Sequence, residues 1–292
     1  METTVSTEIR KSNVGRRKIV NQIAIGAIFA AVVLAIVPLF FILAEVIVKG
    51  APEINLDFLT KLPTPVNVQG GGVVNAIEGS FVMVAFASLI ALPIGIGAGI
   101  FLSEWAEMRF ATFASFINDV LAEFPSIVIG IFVYIIIVLT THTFSAFAGG
   151  VALSIIMIPI VARTTEESLK LVPRSLREAS MALGVSRWRT ITRVVLSTGR
   201  GGLVTGVLLS IARAAGETAP LLLTALGSTL ALTSLLQPTA ALPLLIYTYG
   251  ISPFTDWQNK AWGASLVLVL VVLVLNLSVK ALTRAKFITV VE

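Results

Sequence analysis

The stretch IAIGAIFAAVVLAIVPLFFILA, residues 23–44, contains no charged side chain. At about 1.5 Å of rise per residue, a helix of this length reaches roughly 33 Å, enough to cross a hydrocarbon core of about 30 Å. Arg16, Arg17 and Lys18 precede it, as in a secretory signal. The run is longer than the apolar core of a signal peptide, and no clear cleavage site follows it. The sequence therefore predicts an uncleaved membrane anchor.

The composition of the whole chain is typical of a membrane protein. Among its 292 residues, 56% are hydrophobic and 13% are charged, whereas soluble proteins carry about 25% charged residues. Further apolar runs follow the first, and each is expected to be helical because unpaired backbone groups are costly in lipid. We predict an all-α membrane protein with six transmembrane helices, at residues 23–44, about 76–102, 120–139, 147–162, 202–226 and 261–279.

The composition also excludes several classes of function. The chain has no cysteine and one histidine, His142, which excludes thiol nucleophiles and leaves almost nothing for a zinc site. It has no G-x-x-x-x-G-K-[ST] motif, so it cannot hold nucleotide phosphates in the P-loop manner. The net charge of +5 lies in loops between spans rather than on a folded aqueous surface, which argues against nucleic acid as a partner. We predict no catalytic residue, metal or cofactor.

Lysine and arginine are concentrated on one side of the predicted spans. They cluster in residues 1–22, 163–200 and 280–292, with Arg109 in a further loop on the same side, and the alternate loops hold only three lysines. Because cytoplasmic loops of membrane proteins concentrate these residues, both termini are predicted to be cytoplasmic. The sequence thus predicts a multi-pass protein of the cell (plasma) membrane.

Residues 229–249 are apolar and almost long enough to form a seventh span. Gln237, Pro238 and Pro243 interrupt this segment, and a crossing here would move the basic C-terminal tail to the outside. We predict an interfacial or re-entrant segment on the external face.

The large cytoplasmic loop, residues 163–200, is predicted to form two short helices. Pro173 should end the helix that leaves the fourth span, because proline disfavours the α conformation of the residue before it. Ser175 is placed to cap the next helix, and Glu178 three residues later would complete a capping box. Gly184 can adopt the left-handed conformation that ends this helix, and a serine two residues later can cap the second one.

A helix of about two turns is too short to be stable alone in water, so this hairpin must dock on something. Leu176, Ala179 and Leu183 give it an apolar side, and Arg187 is one of several arginines around it. From the pattern alone, two sites fit equally well. One is the groove of a soluble partner protein, and the other is a layer of anionic lipid headgroups.

The segment EASMALG, residues 178–184, with Val194 and Leu196 beyond it, resembles the EAA loop of binding-protein-dependent ABC importer permeases. Ser180 replaces the second alanine of that motif, and Ser197 replaces its final proline. Within this large family, the phosphate importer permeases of the PstA type are the most similar. The stretches that carry this second resemblance are residues 92–106, 124–134, 172–184, 212–222 and 243–268.

The resemblance implies the fold of a type I ABC importer permease and the role of a transmembrane permease subunit in an ATP-driven importer of inorganic phosphate. In that family, the EAA loop is the coupling helix that sits in a cleft of the ATP-hydrolysing subunit. The positions here that match it are Ser175, Glu178, Ala179, Ser180, Leu183, Gly184 and Arg187.

The same resemblance implies several partners. They are a second permease subunit (PstC-like), a cytoplasmic ATP-binding subunit (PstB-like) and an external phosphate-binding protein (PstS-like), all acting at a lipid bilayer. The chain then divides into a cytoplasmic N-terminal tail (1–22), a first transmembrane helix with an external loop (23–75), a permease core with its coupling loop (76–280) and a cytoplasmic tail (281–292).

Arg213 and Glu217 are predicted to lie inside the fifth span. A charge at the bilayer centre costs about 2.5 to 3.5 kcal/mol on insertion scales, so both side chains need partners or water. Four residues apart on a helix, they could simply pair with each other for packing. Alternatively, Arg213 faces a translocation path and offers its planar donor fork to an anion.

In the resembled family, a charged pair at this R-x-x-x-E-T position is implicated in phosphate passage, which here corresponds to Arg213, Glu217 and Thr218. A secondary anion transporter or channel that uses the Arg/Glu pair as its filter is the alternative function. That alternative leaves the ordered cytoplasmic hairpin unexplained. A membrane enzyme is disfavoured, because no cluster of acidic residues or histidines lies near a predicted headgroup region.

Two G-x-x-x-G spacings, Gly95 with Gly99 and Gly202 with Gly206, allow helices to approach closely. We expect these glycines to serve ordinary helix packing rather than a dedicated dimer seam.

Overall fold

The computed structural model describes residues 2–288 except 67 and 69. Residue 1 of the predicted N-terminal tail and residues 289–292 of the predicted C-terminal tail lie outside the described residues. The chain divides into two compact units, residues 1–49 and 50–292.

Helix α1, Glu2–Gly50, makes up the first unit. The part of the predicted tail that is described is therefore helical and continuous with the first span. Large apolar side chains such as Leu34 and Phe40 are exposed along this helix, as expected for a segment surrounded by lipid. Pro38 lies within the helix, which membrane helices tolerate.

Helices make up most of the described residues of the second unit. After a 3₁₀ turn at Ala51–Glu53, it contains α2 (Leu56–Thr60), α3 (Val74–Glu104), α4 (Arg109–Glu123), α5 (Ser126–Val133), α6 (Leu139–Thr141), α7 (Ala146–Lys170), α8 (Arg174–Ala182), α9 (Arg187–Thr190), α10 (Leu196–Gly216), α11 (Ala219–Thr224), α12 (Leu242–Gly250) and α13 (Thr255–Ile288). Short π-helical segments, Tyr134–Val138 and Ile191–Val195, join α5 to α6 and α9 to α10. The second helix of the cytoplasmic loop, α9, therefore continues into the fifth span without interruption.

Within the described part of the chain, five helices are long and apolar enough to cross a bilayer, and six spans result if α4 and the α5–α6 segment count as one. Residues 229–249 add no span, because most of residues 226–241 are non-helical and α12 has only nine residues. The rejection of a seventh crossing is confirmed.

The third span differs from the prediction. A membrane span over residues 120–139, with a tolerated kink at its proline, is the expectation, but α4 ends at Glu123, α5 begins at Ser126, and the two helices are bent by 100°. Pro125 causes the break, since it pushes Phe124 out of the α region to a ψ of 134°. The expectation of a continuous span is therefore wrong at its N-terminal end.

The non-helical residues 226–241 return to the N-terminal ends of α3 and α7. The backbone N–H groups of Ala146 and Phe147 donate to the carbonyl oxygens of Gln237 and Leu235, at 3.1 Å and 2.8 Å. These bonds satisfy donors in the first turn of α7 that have no partner within the helix. The segment thus caps the end of the bundle opposite to the hairpin.

Helix α7 lies between α3 and α10, and glycines allow close contact on both sides. A Cβ atom added at Gly99 of α3 would lie 2.5 Å from the Cβ of Thr165, and one added at Gly95 would lie 2.7 Å from the Cβ of Val161. Gly202 and Gly206 of α10 pack in the same way on Ser168 and Thr164 of α7. Both G-x-x-x-G spacings therefore serve packing within the chain, as expected.

Replacing Gly99 with alanine should destabilise the bundle by about 1 to 3 kcal/mol, because the added methyl group overpacks the contact with Thr165. Gly97 is the matched control, since a Cβ there meets no atom within 4 Å and Gly97→Ala should leave stability equal or slightly higher. Thermal unfolding of the purified variants in detergent would test this. Equal melting temperatures for the two variants would contradict the packing argument.

Candidate functional site

The fifth span is interrupted where its charged residues lie. Helix α10 ends at Gly216, Glu217 has an extended backbone (φ −73°, ψ 125°), and α11 begins at Ala219. The prediction of a continuous helix over residues 202–226 is therefore wrong. Pro220 lies in the first turn of α11. A backbone N–H at this position would have no acceptor within the helix, so the N–H that proline lacks is not missed there.

The structure brings Arg213 and Glu217 into contact at this break. The Arg213 Nε donates to the Glu217 Oε1 at 3.3 Å. The Arg213 side chain is 49% exposed and that of Glu217 is 15% exposed. A guanidinium group has five N–H donors, so the pairing leaves donors on the exposed side of Arg213 available. Thr218 follows directly and is partly buried, so the three predicted residues share one short segment.

Arg213 belongs to the exposed face of α10. Thr198, Thr205 and Leu209 lie on the same face, at spacings of seven and four residues that align on a helix. The adjoining side of the helix, which includes Gly206, packs on α7. Because an intramembrane arginine is costly against lipid, this face is better suited to a water-filled boundary or a protein neighbour.

The backbone just after the break is held by α5. A Cβ atom added at Gly130 would lie 2.7 Å from the Cα of Pro220, so α5 and α11 are in backbone contact there. Irregular backbone at membrane depth is tolerated only where it is buried in protein or lines a water-filled cavity. The break at Glu217 has protein on one side and the exposed Arg213 on the other.

The predicted hairpin is present as α8, a turn and α9. Gly184 has a φ of +80° and ends α8 in the left-handed conformation, as predicted. The hydroxyl groups of Ser180 and Thr190 are buried and hydrogen-bonded to each other at 2.9 Å. This bond ties the two helices together across the turn.

The predicted capping box does not form. Helix α8 begins at Arg174 with Pro173 at the N-cap position and no side-chain capping bond, so Ser175 lies inside the first turn. The helix starts two residues earlier than predicted because Pro173 already has the extended backbone that an N-cap requires. Ser186 occupies the N-cap position of α9, as predicted, but its side chain makes no capping bond.

The hairpin presents most of its apolar side chains to the outside. Leu183 is 84% exposed, and Leu176 and Met181 are also exposed. Glu178 and Ala179 lie on this open surface as well. Of the predicted coupling residues, Ser180 and Arg187 face the protein instead: Ser180 is buried, and the Arg187 guanidinium carbon lies 4.7 Å from the ring centre of Trp105.

Trp188 is a surface residue that the sequence reasoning missed. Its side chain belongs to α9 and is 65% exposed. A large aromatic residue between Arg187 and Arg189, in a helix too short to bury it, is a signal that could have identified it.

Residues 71–285 match the sequence profile of the family described as binding-protein-dependent transport system inner membrane component. The chain belongs to this family. It is accordingly a non-catalytic permease subunit of an ABC transporter, with the ATPase on a separate subunit, and it crosses the membrane several times.

Individual relatives in this permease family are similar over nearly their whole length. A Yersinia pestis protein described as phosphate transport system permease protein PstA is 43% identical over 286 residues, which cover 98% of this chain and 97% of the relative. A Haemophilus influenzae protein with the same description is 44% identical over 262 residues, covering 89% and 93% of the two chains.

Among solved structures, a chain of the inward-facing MetNI methionine ABC transporter matches with a TM-score of 0.60 and 22% identity. The match covers 73% of this chain and 94% of that chain. At this identity, the likeness concerns the fold alone. The predicted fold class, an all-α membrane protein of the type I ABC importer permease kind, is confirmed.

Proposed function

We propose that this chain is a transmembrane permease subunit of an ATP-driven importer of inorganic phosphate. The observation that carries the proposal is the half-exposed Arg213 at a break in a membrane-spanning segment. Such a group can bind an anion within the membrane-spanning part of the protein. The near full-length similarity to phosphate transport system permeases supports phosphate as that anion.

Arg213, Glu217 and Thr218 are the proposed contributors to the phosphate path. Charge-assisted hydrogen bonds from the guanidinium group would replace part of the hydration that phosphate loses on entry. Glu217 already accepts a bond from Arg213, so it competes with a bound anion for the same group. We infer that this competition keeps phosphate binding weak enough for release, as conduction requires.

The hairpin is the proposed contact with the ATPase subunit. Its open surface combines exposed apolar side chains, Leu183 and Trp188 above all, with the charged Glu178. This mixed apolar and polar composition fits a groove in a soluble protein. Among the residues that match the coupling helix, Gly184 shapes the turn and Ser180 holds the two helices of the hairpin together. The residues that would contact the ATPase subunit are Ser175, Glu178, Ala179 and Leu183.

The other partners follow from the same proposal. A chain with so few spans requires a second permease subunit, PstC-like, to enclose a path. A PstB-like ATPase would bind on the hairpin side, and a PstS-like phosphate-binding protein would dock on the opposite side. The distribution of basic residues supports cytoplasmic termini and the division into tail (1–22), first helix with external loop (23–75), permease core (76–280) and tail (281–292).

Reconstitution of the complete complex in liposomes would test the function. We expect phosphate, together with its binding protein, to stimulate ATP hydrolysis and to accumulate inside only when ATP is supplied. Sulfate and chloride should do neither. Phosphate flux through this chain without ATP or an ATPase subunit would instead support the alternative, a secondary anion transporter or channel.

A further inference from the structure

Helix α8 has almost no apolar anchorage to the rest of the chain. Of its nine residues, only Ser180 is buried. Hydrophobic packing therefore contributes little to its orientation, and polar contacts made by α8 and by the following helix α9 must hold it in place. These contacts converge on the C-terminal end of α3, more than 70 residues earlier in the sequence.

Arg177 of α8 makes the first of these contacts. Its Nε donates to the Glu104 Oε1 at 3.0 Å, and its Nη1 and Nη2 donate to the carbonyl oxygens of Val172 and Leu169 at 2.5 Å and 2.8 Å. Those two carbonyls lie at or just beyond the end of α7, where helical partners run out. One guanidinium group thus joins α8 to the ends of both α3 and α7.

Arg187 of α9 makes the second contact. Its Nη2 donates to the backbone carbonyl oxygen of Glu104 at 2.7 Å, and its guanidinium group lies over the ring of Trp105. Both arms of the hairpin are therefore bound to the same dipeptide, Glu104–Trp105, at the end of α3.

The Arg177–Glu104 pair differs from the surface ion pairs of this chain. The side chain of Arg177 is 17% exposed and that of Glu104 is 7% exposed, whereas pairs such as Lys61–Asp57 are more than half exposed. Exposed pairs contribute little, but removing one member of a buried pair leaves an unpaired charge in a poorly solvated place. Separating Arg177 from Glu104 is therefore costly, so the two side chains should stay together when the hairpin is displaced.

We propose that Glu104 is a positioning residue that locks the hairpin to α3, so that a displacement of the hairpin moves α3 together with α7 and α10. The polypeptide backbone connects the hairpin directly only to α7 and α10. The contacts among Glu104, Trp105, Arg177 and Arg187, which we call the clasp, add a non-covalent connection to α3. The inference rests on the proposed function, because it assumes that an ATPase subunit pushes on the hairpin.

The first test compares Glu104→Gln with Glu107→Gln in the reconstituted complex. Glu107 lies three residues further on and is exposed, so it controls for the loss of one negative charge. We expect the Glu104→Gln complex to assemble and to hydrolyse ATP within about twofold of the unmodified complex, but to import at least fivefold less phosphate per ATP. Glu107→Gln should keep the normal ratio.

If the two side chains act as one unit, the double variant Arg177→Gln with Glu104→Gln should import as much phosphate per ATP as either single variant. An unchanged ratio of phosphate imported per ATP in Glu104→Gln would overturn the inference. It would leave the proposed function intact, whereas an unmodified complex without ATP-driven phosphate uptake would overturn that function itself.

A second measurement leaves the clasp unaltered and does not depend on the stability of these variants. The chain has no cysteine, so spin labels can be placed at the exposed positions Met108 and Arg189 by Met108→Cys and Arg189→Cys. We expect the distance between the two labels to stay constant, within about 2 Å, between the nucleotide-free and ATP-bound complexes. A change of 5 Å or more would overturn the inference.

Discussion

Phosphate uptake by the assembled importer should fall by about 10- to 100-fold when Arg213 is replaced by glutamine. A hydrogen bond to a charged group contributes about 1.5 to 3 kcal/mol, and each 1.4 kcal/mol corresponds to a factor of ten. Arg213→Lys should give an intermediate rate, because it keeps the charge but loses the planar donor fork. Initial rates of labelled phosphate uptake into proteoliposomes provide the measurement.

Two further variants separate a role in phosphate passage from a role in packing. Lys61→Gln removes a cation from the loop before α3, where Lys61 pairs with Asp57 in an exposed position, and should leave uptake unchanged. Replacing Arg213 and Glu217 together by glutamine removes both charges. If the arginine only neutralises Glu217, this double variant should recover uptake. Full activity of either Arg213 variant in a stably assembled complex would contradict the proposed path.

The second large effect is expected at the hairpin. Leu183→Asp should weaken binding of the ATPase subunit at least about tenfold and lower ATP-driven uptake accordingly. A leucine that becomes buried on binding contributes about 1.5 to 3 kcal/mol, and an aspartate in its place must lose hydration without a partner. Titration of the ATPase subunit against permease complexes in nanodiscs would measure the change in affinity.

Leu230 offers a matched control for this substitution. It is 73% exposed, compared with 84% for Leu183, but lies in the segment at the opposite end of the bundle. Leu230→Asp should therefore leave ATPase affinity unchanged. If both variants bind the ATPase normally, the hairpin is not the contact surface.

The number of spans could be predicted from the sequence, but their interruptions could not. Long uncharged runs identify helices, because hydrocarbon tolerates little else. Pro125 was visible in the sequence, yet a proline can either kink a helix or end it, depending on whether its neighbours satisfy the freed carbonyl groups. Glu217 has only Pro220, three residues later, as a similarly ambiguous mark. Its extended backbone is associated with the packing of α11 against Gly130, which no local pattern reveals.

The hairpin shows the same division between local and long-range information. The turn at Gly184 was predictable because a left-handed residue after a helix strongly favours glycine. The start of α8 was misplaced by two residues, since the choice between Pro173 and Ser175 as the cap depends on small local differences. The bond from Arg177 to Glu104 joins residues far apart in sequence, and periodicity contains no information about such a pair.

The close glycine contacts along α7 limit how this chain can change shape. The side chains of Thr164 and Thr165 occupy the space that a Cβ atom would need at Gly206 of α10 and at Gly99 of α3, respectively. Sliding α3 or α10 along α7 by a single residue would drive those side chains into the next methyl or isopropyl group. Alternating access should then leave the register of these three helices unchanged, so that any relative motion of α3, α7 and α10 is a pivot about the glycine contacts.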